Sequence, residues 1–574
     1  MKLKRKLALS AVAISVISTF GATAAPVYEI KNLDNYDFIG EGNGTLQGTR
    51  NGYAQGINNN DALVGIALGR KQLKPEDIDQ DIIDEEDGIA PSERITYSVN
   101  STITANNFAF SATNDWVPTF ESINGSKDPG VAANVNSVDS QFFAINDNGF
   151  MVGNFSGAEK TLPFTGERTD DNKDQRFWFY RDFEQRALVK NGTQEIPLLP
   201  PFTRYSNQDN KIAELGGLSG ATAINNNNLV VGYASTALAD ASTDDIDACF
   251  TKAAETDPNV REPLEVCLQR EQFPGRGRDI FYQVRGYVWQ LDDTGQVTGK
   301  TLPLGLTIDK DNEKAVFNAQ ALGVNNDGVV VGRSQTYRNG DKKLLRYDAA
   351  YWTKKADGNY EYHWVKPENL DDVRDSIAYD INDNGILVGS FSKFIEGFIR
   401  TKFFYFDTKT PNGAVVVPND FKSSLSDRSS RARSINNKNQ VVGYIETSGE
   451  KNAIRSKGAF LFEKDDNKFY NLNSLLTCES QGYVASGDSY KRNEVEVTDG
   501  SGKKLKYQTQ IIVVDANSIN DDGKIVGTAL ISKPRYQIDA KGQPIVDKDT
   551  KKPLFELNAD GQPVTNFLPR MVVL

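Results

Sequence analysis

Many apolar residues of the chain sit in short alternating runs, and the runs keep meeting at one kind of turn. In AINDNGFMVG at 144–153, a small residue and Ile close one run. Four Asn/Asp/Gly positions follow, and Met-Val opens the next run. Alternating runs bounded by Asn, Asp and Gly predict two strands and a tight hairpin, because these residues tolerate positive φ. The phrase recurs as GINNNDALVG at 56–65, AINNNNLVVG at 223–232, GVNNDGVVVG at 323–332, DINDNGILVG at 380–389, SINNKNQVVG at 434–443 and SINDDGKIVG at 518–527. Its third position is Asn in all seven copies: Asn58, Asn146, Asn225, Asn325, Asn382, Asn436 and Asn520. Its tenth is Gly: Gly65, Gly153, Gly232, Gly332, Gly389, Gly443 and Gly527. The Asn side chain is expected to accept from backbone N–H groups within its own turn. A Gly inside a strand predicts a bulge or a close backbone approach.

Aromatic strands follow the hairpins: Phe177–Tyr180, Gly286–Trp289, Ala350–Trp352, Phe403–Phe406 and Ala459–Phe462. A fourth strand follows several of them, at Glu361–Val365, Ala414–Val417 and Lys468–Leu472. Each unit therefore reads as a four-stranded antiparallel meander, with the most compact units repeating at 57 and 54 residues. That is the size of a propeller blade with modest loops. The chain ends in one strand, Arg570–Leu574, with no fourth after it, while Val27–Leu33 resembles the fourth strand of copy six. The expected fold is all-β: a seven-bladed β-propeller whose ring is closed by the N-terminal strand, which removes exposed sheet edges. An open solenoid and a pair of β-sandwiches are the alternatives. Insertions are expected near 69–94, 156–175, 236–281, 478–510 and 531–566, with 240–272 partly helical.

The N-terminus reads as a secretory signal. Lys2, Lys4, Arg5 and Lys6 precede an apolar stretch from Leu7 to Phe20, and Ala22-Thr23-Ala24 gives a small-x-small cleavage pattern. The expected organisation is a signal peptide at 1–24 and a single repeat domain at 25–574. Removing the four cations moves the net charge from −12 to about −16. So acidic a protein is a poor partner for nucleic acid or anionic lipid. No further run is long and apolar enough for a transmembrane helix in the mature chain. In an oxidising compartment Cys249 and Cys267 are candidates for a disulfide, with Cys478 left buried or free; a long-range pair of Cys478 with either of them is the alternative.

These phrases resemble the HAF-type extracellular repeat, small-x-Ala-x-Ile-Asn-Asp-x-Gly-x-Val-Val-Gly followed by Ala-Phe-Leu-Trp and an Asp/Asn-Leu strand. The fullest matches are LGGLSGATAINNNNLVVGYA at 215–234 and RARSINNKNQVVGYI with KGAFLFEKDDNKFYNLNSLL. Over residues 25–574 the chain is similar to a family of exported bacterial proteins of nearly this size that carries a domain-of-unknown-function label. The resemblance implies secretion and a propeller-like fold, and brings no catalytic residues to carry over. Copies one and four depart from the pattern, which implies irregular blades there.

Candidates for chemistry are few. The single histidine, His363, lies between Tyr362 and Trp364 in a predicted strand. This excludes a multi-His metal site and makes any Ser-His-Asp arrangement depend on one residue. Gly487-Asp488-Ser489 matches the nucleophile block of GDS-type esterases, but no histidine follows it. The Asx-rich turns lack the Glu that a calcium loop needs at its twelfth position. The acidic run Asp77–Asp87 reads as a solvated loop before a cation site, and Arg276 and Arg278 of FPGRGRD as neutralising partners of an acidic insertion. No phosphate-binding Gly-rich loop precedes a helix. No cofactor or metal is expected.

The composition and motifs thus predict an exported, non-catalytic propeller, periplasmic or extracellular and monomeric, that binds or scaffolds a protein or polysaccharide. The rival is a secreted carbohydrate-active hydrolase or lyase, with carboxylates at one mouth of the propeller channel. Functional residues are expected where the seven copies differ.

Overall fold

A computed structural model describes residues 25–30, 51–68, 98–112, 116–118, 123, 125–127, 136–168, 175–272, 280–292, 294–310, 312–367, 372–410, 412–421, 426–449, 455–539 and 545–574. The expected signal peptide, the 69–94 insertion with its acidic run, and FPGRGRD at 273–279 lie outside the described residues.

Each phrase forms the first two strands of an antiparallel sheet, and the seven sheets stand as blades in a ring. The first strands are Asn51–Ile57, Ser140–Ile145, Ser219–Ile224, Ala319–Val324, Val373–Ile381, Ser430–Ile435 and Ile511–Ile519. Five sheets have four strands in meander order. In the fifth blade a single bridge, Tyr405 to Val416, stands at the fourth position, and the seventh blade has three strands. Copies one and four build regular four-stranded blades, contrary to expectation. Asp61 adopts the positive φ that the turn of copy one needs, and the turn of copy four has Gly328 there.

Apolar packing is wedged between blades. Ala54, Phe108 and Phe110 of blade one pack with Val526, Met571 and Val573 of blade seven. Val64, Phe142 and Leu188 join blades one and two. Similar clusters fill the remaining junctions. Alternation makes this possible: one face of each strand meets the preceding blade and the other the following blade. Each large side chain so buried contributes about 2 kcal/mol. Trp352 is fully buried and satisfies its indole N–H on the carbonyl of Pro303 at 2.8 Å.

Two expectations are corrected. Phe177–Tyr180 is not the third strand of blade two; it pairs with Lys160–Pro163 in a separate two-stranded sheet. Arg186–Asn191 and Gln194–Leu198, joined by Gly192 and Thr193, are the third and fourth strands, because that tight turn makes a self-contained hairpin. The N-terminal segment also helps close the ring differently. None of its described residues, 25–30, pairs with the last strand, Thr565–Val573. Tyr28 instead makes a parallel bridge to Leu476, and Ile30 enters the apolar wedge between blades six and seven.

The insertions carry their own small structures. Helices Ser242–Ala254 and Leu264–Gln272 pack on Ala213, Leu215 and Ile280, and a disulfide joins Cys249 to Cys267. Hairpins Tyr483–Ser486 with Ser489–Arg492, and Glu494–Thr498 with Lys504–Gln508, fill 478–510. Cys478 is a free, exposed thiol. Among the described residues no helix is long and apolar enough to cross a membrane.

Candidate functional site

The phrase Asn has two jobs at once. Its Oδ1 accepts the N–H of the residue four positions on in every copy, as from Ala62 to Asn58 at 2.9 Å and from Lys524 to Asn520 at 2.9 Å. That is the turn role expected of Asn. Its Nδ2 reaches the neighbouring blade and donates to the carbonyl of the next phrase Asn. Asn58 donates to Asn146, which donates to Asn225, and so on through Asn325, Asn382 and Asn436 to Asn520, at 2.9–3.1 Å. Asn520 then donates to Asn58 at 3.1 Å, and the circle is closed. All seven are buried.

The next residue of the phrase builds a second tier, from Asn59, Asp147, Asn226, Asn326, Asp383, Asn437 and Asp521. Each backbone N–H donates to the Oδ1 of the next blade's residue at 2.8–2.9 Å. The outer oxygens of the three carboxylates take carboxamide donors. Asp147 accepts from Asn59 and Asn226, Asp383 from Asn326 and Asn437, and Asp521 from Asn437 and Asn59. Together with the preceding Ile or Val of each copy, the two tiers line a cavity of about 160 Å³ at one mouth of the channel. No Arg or Tyr lines it. Among the described residues no three His, Cys, Asp or Glu side chains are placed to hold a metal ion.

The phrase Gly is explained by the strand it faces. In all seven blades the first strand has a bulge opposite this Gly. A Cβ on Gly153 would lie 1.8 Å from the carbonyl oxygen of Gln141, and one on Gly527 would lie 2.2 Å from that of Asp515. No side chain fits so close to a partner's main chain.

The extra residue of each bulge immediately precedes the phrase. It is Gln55, Phe143, Thr222, Leu322, Tyr379, Arg433 and Asn517: seven copies, seven different side chains, all half-buried. Several reach the following blade. Thr222 donates to the carbonyl of Ala321 at 3.0 Å, and Arg433 pairs with Asp515 at 2.8 Å. Sequence reading missed these positions because the bulge that presents them is a property of the paired strands. Their signal was variation at one site inside a repeated context.

The remaining sequence candidates fall apart in space. His363 stacks on Tyr351 with ring centroids 4.6 Å apart and shares a hydrogen bond with Thr353 at 2.8 Å, a role in sheet packing. Ser489 caps its own hairpin, with Oγ donating to the carbonyl of Ser486 at 3.1 Å. The chain has no second histidine to serve it.

Comparisons with known proteins give little chemistry. Prolyl oligopeptidase B from Galerina marginata is 8% identical, with a TM-score of 0.31 over 72% of this chain and 52% of that one. The chain thus spans about half the length of that enzyme. The GH32 beta-fructofuranosidase of Bombyx mori is 11% identical, with a TM-score of 0.21 over 50% of this chain and 55% of that one. Xylan beta-1,4-xylosidase from Bacillus halodurans C-125 is 8% identical, with a TM-score of 0.22 over 92% of this chain and 96% of that one. Likenesses this slight carry no argument about function. No curated protein matches the chain. Residues 5–574 match the family described as "Protein of unknown function (DUF3466)", and over that length the chain belongs to this family.

Proposed function

We propose that the chain is an exported, non-catalytic propeller that binds or scaffolds a protein or polysaccharide in the periplasm or outside the cell. One observation carries the reading. The repeated Asn, Asx and Gly positions are engaged in holding blades together, while the residue before each phrase differs in every copy and sits half-buried at the inner bulge. A constant frame with varied inner positions suits recognition, where loops and channel linings set specificity. Export is supported by Lys2–Lys6 with Ala22-Thr23-Ala24, by the resemblance to the HAF-type extracellular repeat, and by the disulfide.

The hydrolase or lyase reading would use Asp147, Asp383 and Asp521, the three carboxylates of the mouth. Their oxygens already take amide donors, and no Arg or Tyr stands among the residues lining that mouth, so binding is preferred. The test is to incubate the protein with a polysaccharide panel and an envelope extract, measuring retention and the release of reducing or unsaturated ends. Retention without release is expected. Release that disappears in the Asp147→Asn, Asp383→Asn, Asp521→Asn triple variant would establish the enzyme instead.

A further inference from the structure

One group of side chains inside the ring holds more cations than carboxylates. Arg431 and Arg433 lie on the first strand of blade six, Tyr379 on that of blade five, and Asp515 on that of blade seven. Tyr444 stands opposite Arg431 on the next strand of blade six, and Lys457 begins the third. The Arg431 guanidinium is 5.6 Å from the Tyr379 ring centroid and 5.9 Å from that of Tyr444. Arg433 is 5.4 Å and Lys457 4.3 Å from the Tyr444 ring. The Tyr379 hydroxyl accepts from Ser390 at 3.2 Å. By strand register, the group lies toward the end of the channel away from the phrase turns.

Three cations meet one carboxylate here, and Asp515 is taken by Arg433. Acids nearby are used elsewhere. Glu446, the cross-strand partner of Lys457, is bonded to Arg455 at 3.0 Å, and Asp427 to the same arginine at 2.7 Å. Arg431 and Lys457 have no ion-pair partner among the described residues, and the Arg431 Nε is buried without an acceptor. In a chain of net charge −12 this is a local reversal of sign. Half-burying an uncompensated guanidinium costs free energy that an arriving anion would recover. A planar carboxylate matches the guanidinium fork, and the hydroxyls of the half-buried Tyr379 and Tyr444 suit a polyhydroxylated ligand.

We infer that this cluster binds the carboxylate of an acidic sugar, a uronate unit of an anionic polysaccharide. The inference rests on the reading of the propeller as a binding module and names its ligand class. The test uses calorimetry on the full purified protein with trigalacturonate, neutral maltotriose and triglutamate as probes. Trigalacturonate is expected to bind, the other two at least about tenfold more weakly, and affinity should fall with added salt. Arg431→Gln and Lys457→Gln should each weaken it about tenfold, and Lys314→Gln, an exposed lysine on another blade, should leave it unchanged. Lys457 is exposed, so its variant carries the test if Arg431→Gln does not fold. Unchanged affinity in Lys457→Gln at unchanged melting temperature overturns the inference, and equal binding of triglutamate overturns the sugar class. A protein that retains other glycans or envelope proteins but not galacturonate overturns this inference alone, whereas one that retains nothing overturns the binding-module reading.

Discussion

The Nδ2 of Asn520 donates to the main-chain oxygen of Asn58 at 3.1 Å, joining the last phrase of the chain to the first across 462 residues. The same side chain accepts from Asp522 and Lys524 in its own turn, so one residue shapes a hairpin and locks the ring. The two roles separate by substitution. Asn520→Ala removes both and should lower stability by about 2–3 kcal/mol, since buried partners are left unmet. Asn520→Asp keeps the turn acceptor but sets a carboxylate oxygen against the Asn58 carbonyl. It should destabilise at least as much at neutral pH. Denaturant unfolding checks both. An Asp variant as stable as the wild type would mean that the inter-blade bond contributes nothing.

Gly153 and Gly149 belong to one phrase and differ in why they are glycine. Gly149 has φ +82° with open space around it, so Gly149→Ala should cost about 1 kcal/mol of backbone strain. At Gly153 a Cβ meets the Gln141 carbonyl, and the blade must shift. Gly153→Ala should cost on the order of 3 kcal/mol or more. The ordering of the two in a denaturant series is the check.

Lys402 is buried, 3.4 Å from Asp420, and donates to the carbonyl of Arg428 at 2.7 Å. Burial pushes its ammonium below the ordinary value of 10.5, an effect the Asp420 charge only partly offsets. A folded-state value below the unfolded one means that the unfolded chain holds more protons in the interval between them. Stability from this group therefore rises with pH up to 10.5 and is lost as pH falls through the depressed folded value. Wild type minus Lys402→Met, followed by unfolding from neutral pH toward 10, should grow in favour of the wild type. A flat difference would contradict the assignment.

Reduction of Cys249–Cys267 should loosen a satellite and spare the ring. The bond spans 18 residues and joins two helices packed on an apolar cluster apart from the blade wedges. Closing a loop of that length is worth about 3 kcal/mol to the segment. Hydrogen exchange on Cys249→Ser is expected to show faster exchange in 242–272, with the phrase strands unchanged. Faster exchange in Leu229–Leu238 as well would show that the insertion braces its blade.

Much of the architecture was legible in the residues. Alternation bounded by Asn, Asp and Gly marks the hairpins, and seven copies mark seven blades, because strand pairing at a tight turn is a local matter. Phe177–Tyr180 shows where this stops. It has the composition of a third strand, yet Arg186–Leu198, with its Gly192-Thr193 turn, takes that place. Which of two good strands joins a blade depends on edge competition, which no local pattern records. Val27–Ile30 likewise resembles a fourth strand, but its apolar side chain is drawn into the wedge between two blades rather than onto a sheet edge.

The sequence by itself determined the hairpin, its repeat number and the need for Asn and Gly at fixed places, since turn geometry is set within ten residues. Only the tertiary structure decided what those residues also do. The second hydrogen bond of each Asn, the carbonyl that excludes a Cβ at each Gly, and the meetings of Arg431 with Tyr379 and of Arg433 with Asp515 all join residues from separate strands or blades. Such contacts exist only after the strands pair and the ring closes, because they depend on distances across strands and blades and not on spacing along the chain.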